Sequence, residues 1–259
     1  MKRFSVFCLF MGVALMNTVS AEDTGLAFSG EFYGGSIESE DVVSAYGAAT
    51  VPVVTNFAFH LEALGDELGD DNSRNIGGHL YWRNPDFGLL GIIASRTNFE
   101  IAGFDGDFSG LGAEAELYFK PFSIAAQYAE LDSDLADIDG DHYRAFDLHW
   151  TASNAWYLVV GTRSLRDEDI GYAEVDFTAD GGNSPLTLYG GATWNDFESQ
   201  YLGVDYVVLA TKSSSLSIFL EGDTGEDGYD GVFLGIAYNR GPVANAPLIS
   251  LFENLKGGF

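Results

Sequence analysis

From Gly110 to Leu131 the chain reads GLGAEAELYFKPFSIAAQYAEL, and its polarity alternates one residue at a time. Ala113, Ala115, Leu117 and Phe119 alternate with Gly112, Glu114, Glu116 and Tyr118. Ile124, Ala126 and Tyr128 alternate with Ser123, Ala125 and Gln127. Successive strand side chains point to opposite faces, so this stretch predicts two strands, each with an apolar and a mixed face. Lys120-Pro121 leaves room only for a tight hairpin between them. Rows of this kind recur along the chain. Apolar residues on one face and carboxylates on the other are the pattern of a barrel with lipid outside and water inside.

The first residues stand apart from that pattern. Lys2 and Arg3 precede an apolar run from Phe4 to Met16, and Val19-Ser20-Ala21 offers small residues ahead of Glu22. This predicts a cleaved secretory signal peptide over 1–21. Cys8, the single cysteine, lies inside it, so the mature chain is expected to hold no thiol and no disulfide. No later apolar run is long enough for a transmembrane helix. Net charge is −27, and loss of Lys2 and Arg3 takes it to −29. Such a field repels nucleic acid and attracts cations. A hydrophobic fraction of 46% with 14% aromatic residues argues against disorder.

The alternation predicts strands over 26–36, 43–52, 56–64, 75–83, 88–97, 110–119, 122–131, 142–150, 155–163, 172–179, 186–194, 201–209, 215–222 and 231–239. The expected fold is all-β: a closed antiparallel up-and-down transmembrane β-barrel of about fourteen strands over 22–241. The count is twelve if 43–52 and its partner fail, because Pro52 suits only a strand end. Short connections (84–87, 120–121, 151–154, 180–185, 211–214) alternate with longer acidic ones (65–74, 98–109, 132–141, 164–171, 195–200, 222–230), as turns and loops at opposite ends of a barrel would. Trp82, Phe87, Tyr118, Phe119, Phe122, Trp150 and Trp156 flank the short turns and predict an interfacial girdle. In hydrocarbon every backbone polar group must be paired, so the sheet must close. The segment 242–259 leaves the pattern, and 231–239 is the better closing strand.

The units IGGHLYWRNPDFGLLGIIA and GAEAELYFKPFSIAAQYAE resemble those of Gram-negative outer-membrane β-barrel, porin-like families. The resemblance implies residence in the bacterial outer membrane, contact with its lipid and lipopolysaccharide, and compatibility with a homo-oligomer. It specifies architecture and hardly touches substrate.

The inward rows are expected to carry Glu31, His60, Glu62, His79, Arg83, Glu114, Glu116, Gln127, Asp147, His149, Arg163, Glu174, Asp176, Tyr189, Asp205 and Glu221. Carboxylates along a wet bore favour cations. The expected function is a passive, cation-preferring diffusion channel for small cationic or neutral solutes. The alternative is a non-conducting structural or surface-interaction barrel, its interior filled by ion pairs to Arg83 and Arg163. No catalytic signature is present, and no cofactor is implied. His60 and His79, on neighbouring strands, lack a third metal ligand by spacing. Asp132, Asp134, Asp137, Asp139 and Asp141 resemble a calcium loop only weakly, since the closing Glu is missing.

Overall fold

The computed structural model describes residues 26–37, 40–101, 103–135, 140–153, 155–165, 168–179, 184–195, 198–225 and 230–241. The expected signal peptide and C-terminal tail, together with Asp137 and Asp139, lie outside them. The strands are β1 (Ala27–Ile37), β2 (Glu40–Val54), β3 (Phe57–Leu68), β4 (Asp71–Asn84), β5 (Gly88–Ile101), β6 (Phe104–Phe119), β7 (Phe122–Ser133), β8 (His142–Ser153), β9 (Trp156–Leu165), β10 (Glu168–Thr178), β11 (Leu186–Asn195), β12 (Ser199–Ala210), β13 (Ser214–Gly225) and β14 (Asp230–Arg240). Each pairs antiparallel with its chain neighbours, and β1 closes on β14 from Phe28↔Arg240 to Ile37↔Gly231. The fourteen-strand barrel is therefore complete, and 231–239 does supply the closing strand. β2 runs two residues past Pro52, across a register shift between Pro52 and Val54 that tolerates the missing N–H.

Burial follows the sequence alternation. On β6, Glu114 and Glu116 are buried while Leu111 and Leu117 are exposed. On β4 the outward row is Trp82, Leu80, Gly78, Ile76, Arg74, and on β8 it is Trp150, Leu148, Phe146, Arg144. From Trp82 to Arg74, eight residues on a strand tilted by about 40°, the outer face is free of charge over roughly 20 Å, about the height of an outer-membrane barrel's apolar band. Among the described residues no helix is long and apolar enough to cross a membrane. Crossing falls to the strands. Arginine at the outward, 63% exposed Leu234 should therefore cost about 2–4 kcal/mol. Urea unfolding of the barrel in lipid vesicles checks this, and an unchanged midpoint would place Leu234 away from lipid.

Two expectations change. The acidic stretches 65–74, 98–109 and 164–171 are not loops over most of their length, and β9 pairs with β10 out to Leu165↔Glu168. Gly65↔Arg74 through Leu68↔Asp71 continue the β3–β4 ladder, and Asn98↔Asp107 through Ile101↔Phe104 continue β5–β6. Beyond the apolar band both sheet faces are wet, so backbone pairing persists where side-chain alternation is no longer required. The second change is Tyr118. Phe119 and Phe122 (centroids 6.0 Å apart), Phe122 and Trp150 (6.5 Å) and Trp156 and Phe177 (4.5 Å) do form linked rings at the turn end of the barrel. Tyr118 instead points inward and takes a hydrogen bond from Arg83 Nε at 2.7 Å. Adjacent residues on a strand face opposite sides, so Tyr118 cannot share the outer face with Phe119.

Candidate functional site

The inner face of the barrel divides in two. From β2 to β9 it is filled. The register sets His60 opposite His79 and Glu114 opposite both Gly91 and Gln127. Thr50 Oγ1 lies 2.7 Å from His60 Nδ1, and His60 Nε2 is 3.7 Å from Glu62 Oε1. The Glu62 carboxylate also accepts the Tyr46 hydroxyl at 3.1 Å. The His79 ring bridges two acids: Nε2 to Glu62 Oε1 at 2.6 Å and Nδ1 to Glu114 Oε2 at 2.9 Å. Gln127 Nε2 reaches the same Glu114 oxygen at 3.4 Å. The line Thr50–His60–Glu62–His79–Glu114–Gln127 thus runs round the wall from β2 to β7. Glu114 crosses to β4 because Gly91 stands between them; a Cβ there would lie 2.5 Å from Glu114 Oε1. His79 is wholly buried, and burying charge is tolerated only with partners as close as these.

Two arginines close other parts of this half. Arg83 Nη2 donates to Glu116 Oε2 at 3.1 Å, and the Tyr118 hydroxyl donates to the same carboxylate. Arg163 forms a two-pronged pair with Asp147, Nη1 to Oδ1 at 2.6 Å and Nη2 to Oδ2 at 2.9 Å. Such a fork matches carboxylate geometry and is a strong form of ion pair. The Tyr172 hydroxyl also donates to Asp147, and its ring lies under the Arg163 guanidinium at 4.7 Å. His149 Nδ1 bonds the Tyr157 hydroxyl. Tyr143 on β8 packs against Ala125 and Ala145. Leu89 and Ile93 are also buried on the inner row of β5.

The wall formed by β10 to β14 and β1 differs, apart from a buried apolar cluster of Tyr33, Phe219 and Phe233. Glu174, Asp176, Tyr189, Tyr201, Asp205, Glu221, Asp223 and Glu31 share the inner row and are only partly buried. The Tyr201 hydroxyl donates to Glu174, and Ser217 Oγ donates to Asp205 at 2.7 Å. Tyr189 hydrogen-bonds Glu221. Between Glu168 and Asn239 the one basic residue is Lys212, in the turn after β12.

All sixteen residues expected on the inward rows share the inner face. His60, Glu62, His79, Glu114, Glu116, Gln127, Asp147, His149 and Arg163 are packed in the filled half, with Arg83 at its edge, while Glu31, Glu174, Asp176, Tyr189, Asp205 and Glu221 remain partly open. Sequence reasoning missed Tyr46, Asp66, Tyr143, Tyr172, Tyr201 and Asp223. Each has the parity of an inward neighbour, and that signal could have found them. Asp66 lay in a stretch read as loop; it accepts hydrogen bonds from Ser44 at 2.5 Å and Ser73 at 3.3 Å. Among the described residues no group of three or more His, Cys, Asp or Glu is arranged to hold a metal ion.

No protein-family model matches the chain. No curated protein matches it by sequence. Solved structures match by shape. The Acinetobacter baumannii outer membrane protein Omp33 superposes with a TM-score of 0.55 at 9% identity, covering 85% of this chain and 98% of that one. The chain has the fold of an outer-membrane β-barrel. A second match, the CymD monoaromatic hydrocarbon channel, gives a TM-score of 0.53 at 8% identity over 85% of this barrel and 89% of that chain. At such identities the likeness concerns fold, and the inner face of this barrel is its own.

Proposed function

We propose that this barrel is a passive diffusion channel of the bacterial outer membrane that prefers cations. One observation carries the reading. The inner face bears Glu31, Glu62, Asp66, Glu114, Glu116, Asp147, Glu174, Asp176, Asp205, Glu221 and Asp223 against two arginines, Arg83 and Arg163. Carboxylate-lined pores raise the local concentration of cations and repel anions. A fold neighbour that is a channel, CymD, agrees with a passive conduit.

Planar-bilayer recording across a tenfold potassium chloride gradient tests the proposal. The barrel should conduct, with a zero-current potential approaching the potassium equilibrium value and a preference that shrinks as salt screens the carboxylates. Anion preference would refute it. The filled β2–β9 half favours a second reading, in which the barrel is a non-conducting structural element of the membrane. Absence of any conductance from protein shown to be folded would favour that reading.

A further inference from the structure

The open wall carries a repeated device. Tyr189 lies over Gly203 on the next strand, where a Cβ would sit 2.1 Å from Tyr189 Cζ. Tyr201 lies over Gly191, where a Cβ would sit 2.6 Å from its Cζ and hydroxyl. Each ring occupies the space a neighbouring side chain would need, so it rests against the wall instead of standing into the barrel. Glycine at these two inner positions is thus a width-setting choice, because any side chain there would lift the ring off the sheet. The tyrosine hydroxyls are fastened to Glu221 and Glu174, which holds the rings down.

We propose that permeation is confined to this side of the barrel. The passage is a half-channel along β10–β13, floored by Tyr189 and Tyr201 laid on glycines and lined by Glu174, Asp176, Asp205 and Glu221. The β2–β9 half is a sealed polar core that supports it. Cations therefore meet carboxylates with no arginine or lysine on the same wall, whereas the acids of the sealed half spend their charge on His79, Arg83 and Arg163. The inference rests on the channel reading above and names the residues that set selectivity and width within it.

Single cysteines separate the two halves. Thr187, on the inner row of β11, is partly buried, and Thr97, on the inner row of β5, is 2% exposed. A cationic ethylammonium methanethiosulfonate reagent added during bilayer recording should cut the current of Thr187→Cys at least twofold and weaken its cation preference. It should leave Thr97→Cys unchanged. Gly203→Val should lower the single-channel current at least twofold by lifting Tyr189 into the passage, and Gly203→Val with Tyr189→Ser should restore it. The heat-dependent gel shift of each variant reports that it is folded. Modification of Thr97→Cys, or silence at a folded Thr187→Cys, would overturn the half-channel and leave the channel reading standing. A wild-type barrel without conductance would instead overturn the channel reading itself.

Discussion

Replacing His79 by phenylalanine should destabilise the lipid-embedded barrel by about 3–5 kcal/mol, the cost of removing one member of a buried ionic cluster. The ring contacts two carboxylates at 2.6 and 2.9 Å and has no exposed surface. With both acids ionised it carries a proton on each nitrogen, because a carboxylate beside a bare ring nitrogen finds a lone pair. Phenylalanine fills the space and supplies neither proton. Glu62 and Glu114, both buried, are then left facing one another with Tyr46 and Gln127 among their remaining donors. The transfer gain of a slightly more apolar ring is of order 1 kcal/mol and cannot offset two buried acids that have each lost their nearest donor. Urea unfolding in vesicles, followed by tryptophan emission, measures the loss. The triple change Glu62→Leu, His79→Phe, Glu114→Leu should recover most of it, since apolar replacement of a whole buried ionic set is commonly neutral or better. A wild-type midpoint for the single variant would mean the triad is solvated.

The second large effect is expected at Arg163. Methionine there strands Asp147, which is 2% exposed and takes both guanidinium prongs. The expected cost is again about 3–5 kcal/mol. Pairing it with Asp147→Leu should return all but about 1 kcal/mol, the remainder being the Tyr172 hydroxyl left without its acceptor. The cycle tests coupling directly. If the two single changes add in the double variant, the pair is not the unit described here. Both experiments keep the outer face intact, so they probe the sealed half without disturbing lipid contact.

How much of this was legible beforehand depends on which solvent each face meets. Within the apolar band, lipid outside and polar interior inside force strict alternation. Glu114 and Glu116 against Leu117 and Phe119 could be assigned from sequence, and fourteen strands could be counted. Above the band that constraint lapses. Residues 65–74, 98–109 and 164–171 therefore read as loops while their backbones remain paired over most of their length. Tyr118 was misplaced because its proximity to a turn outweighed its parity with Glu116. The partition of the interior was not legible at all. It depends on strand register, which brings His79 between Glu62 and Glu114 and sets Tyr189 over Gly203. Side-chain periodicity fixes the face a residue takes, but not its partner across the ladder.

Everything rests on the outer row meeting hydrocarbon while the inner row of β10–β13 meets water. Single cysteines on β12, spin-labelled in reconstituted vesicles, measure this most directly through relaxation by lipid-dissolved oxygen and by a water-soluble nickel chelate. Labels at Leu202, Val204 and Tyr206 should respond to oxygen, and labels at Tyr201 and Asp205 to nickel. The reverse pattern, or equal response at neighbouring positions, would contradict the account.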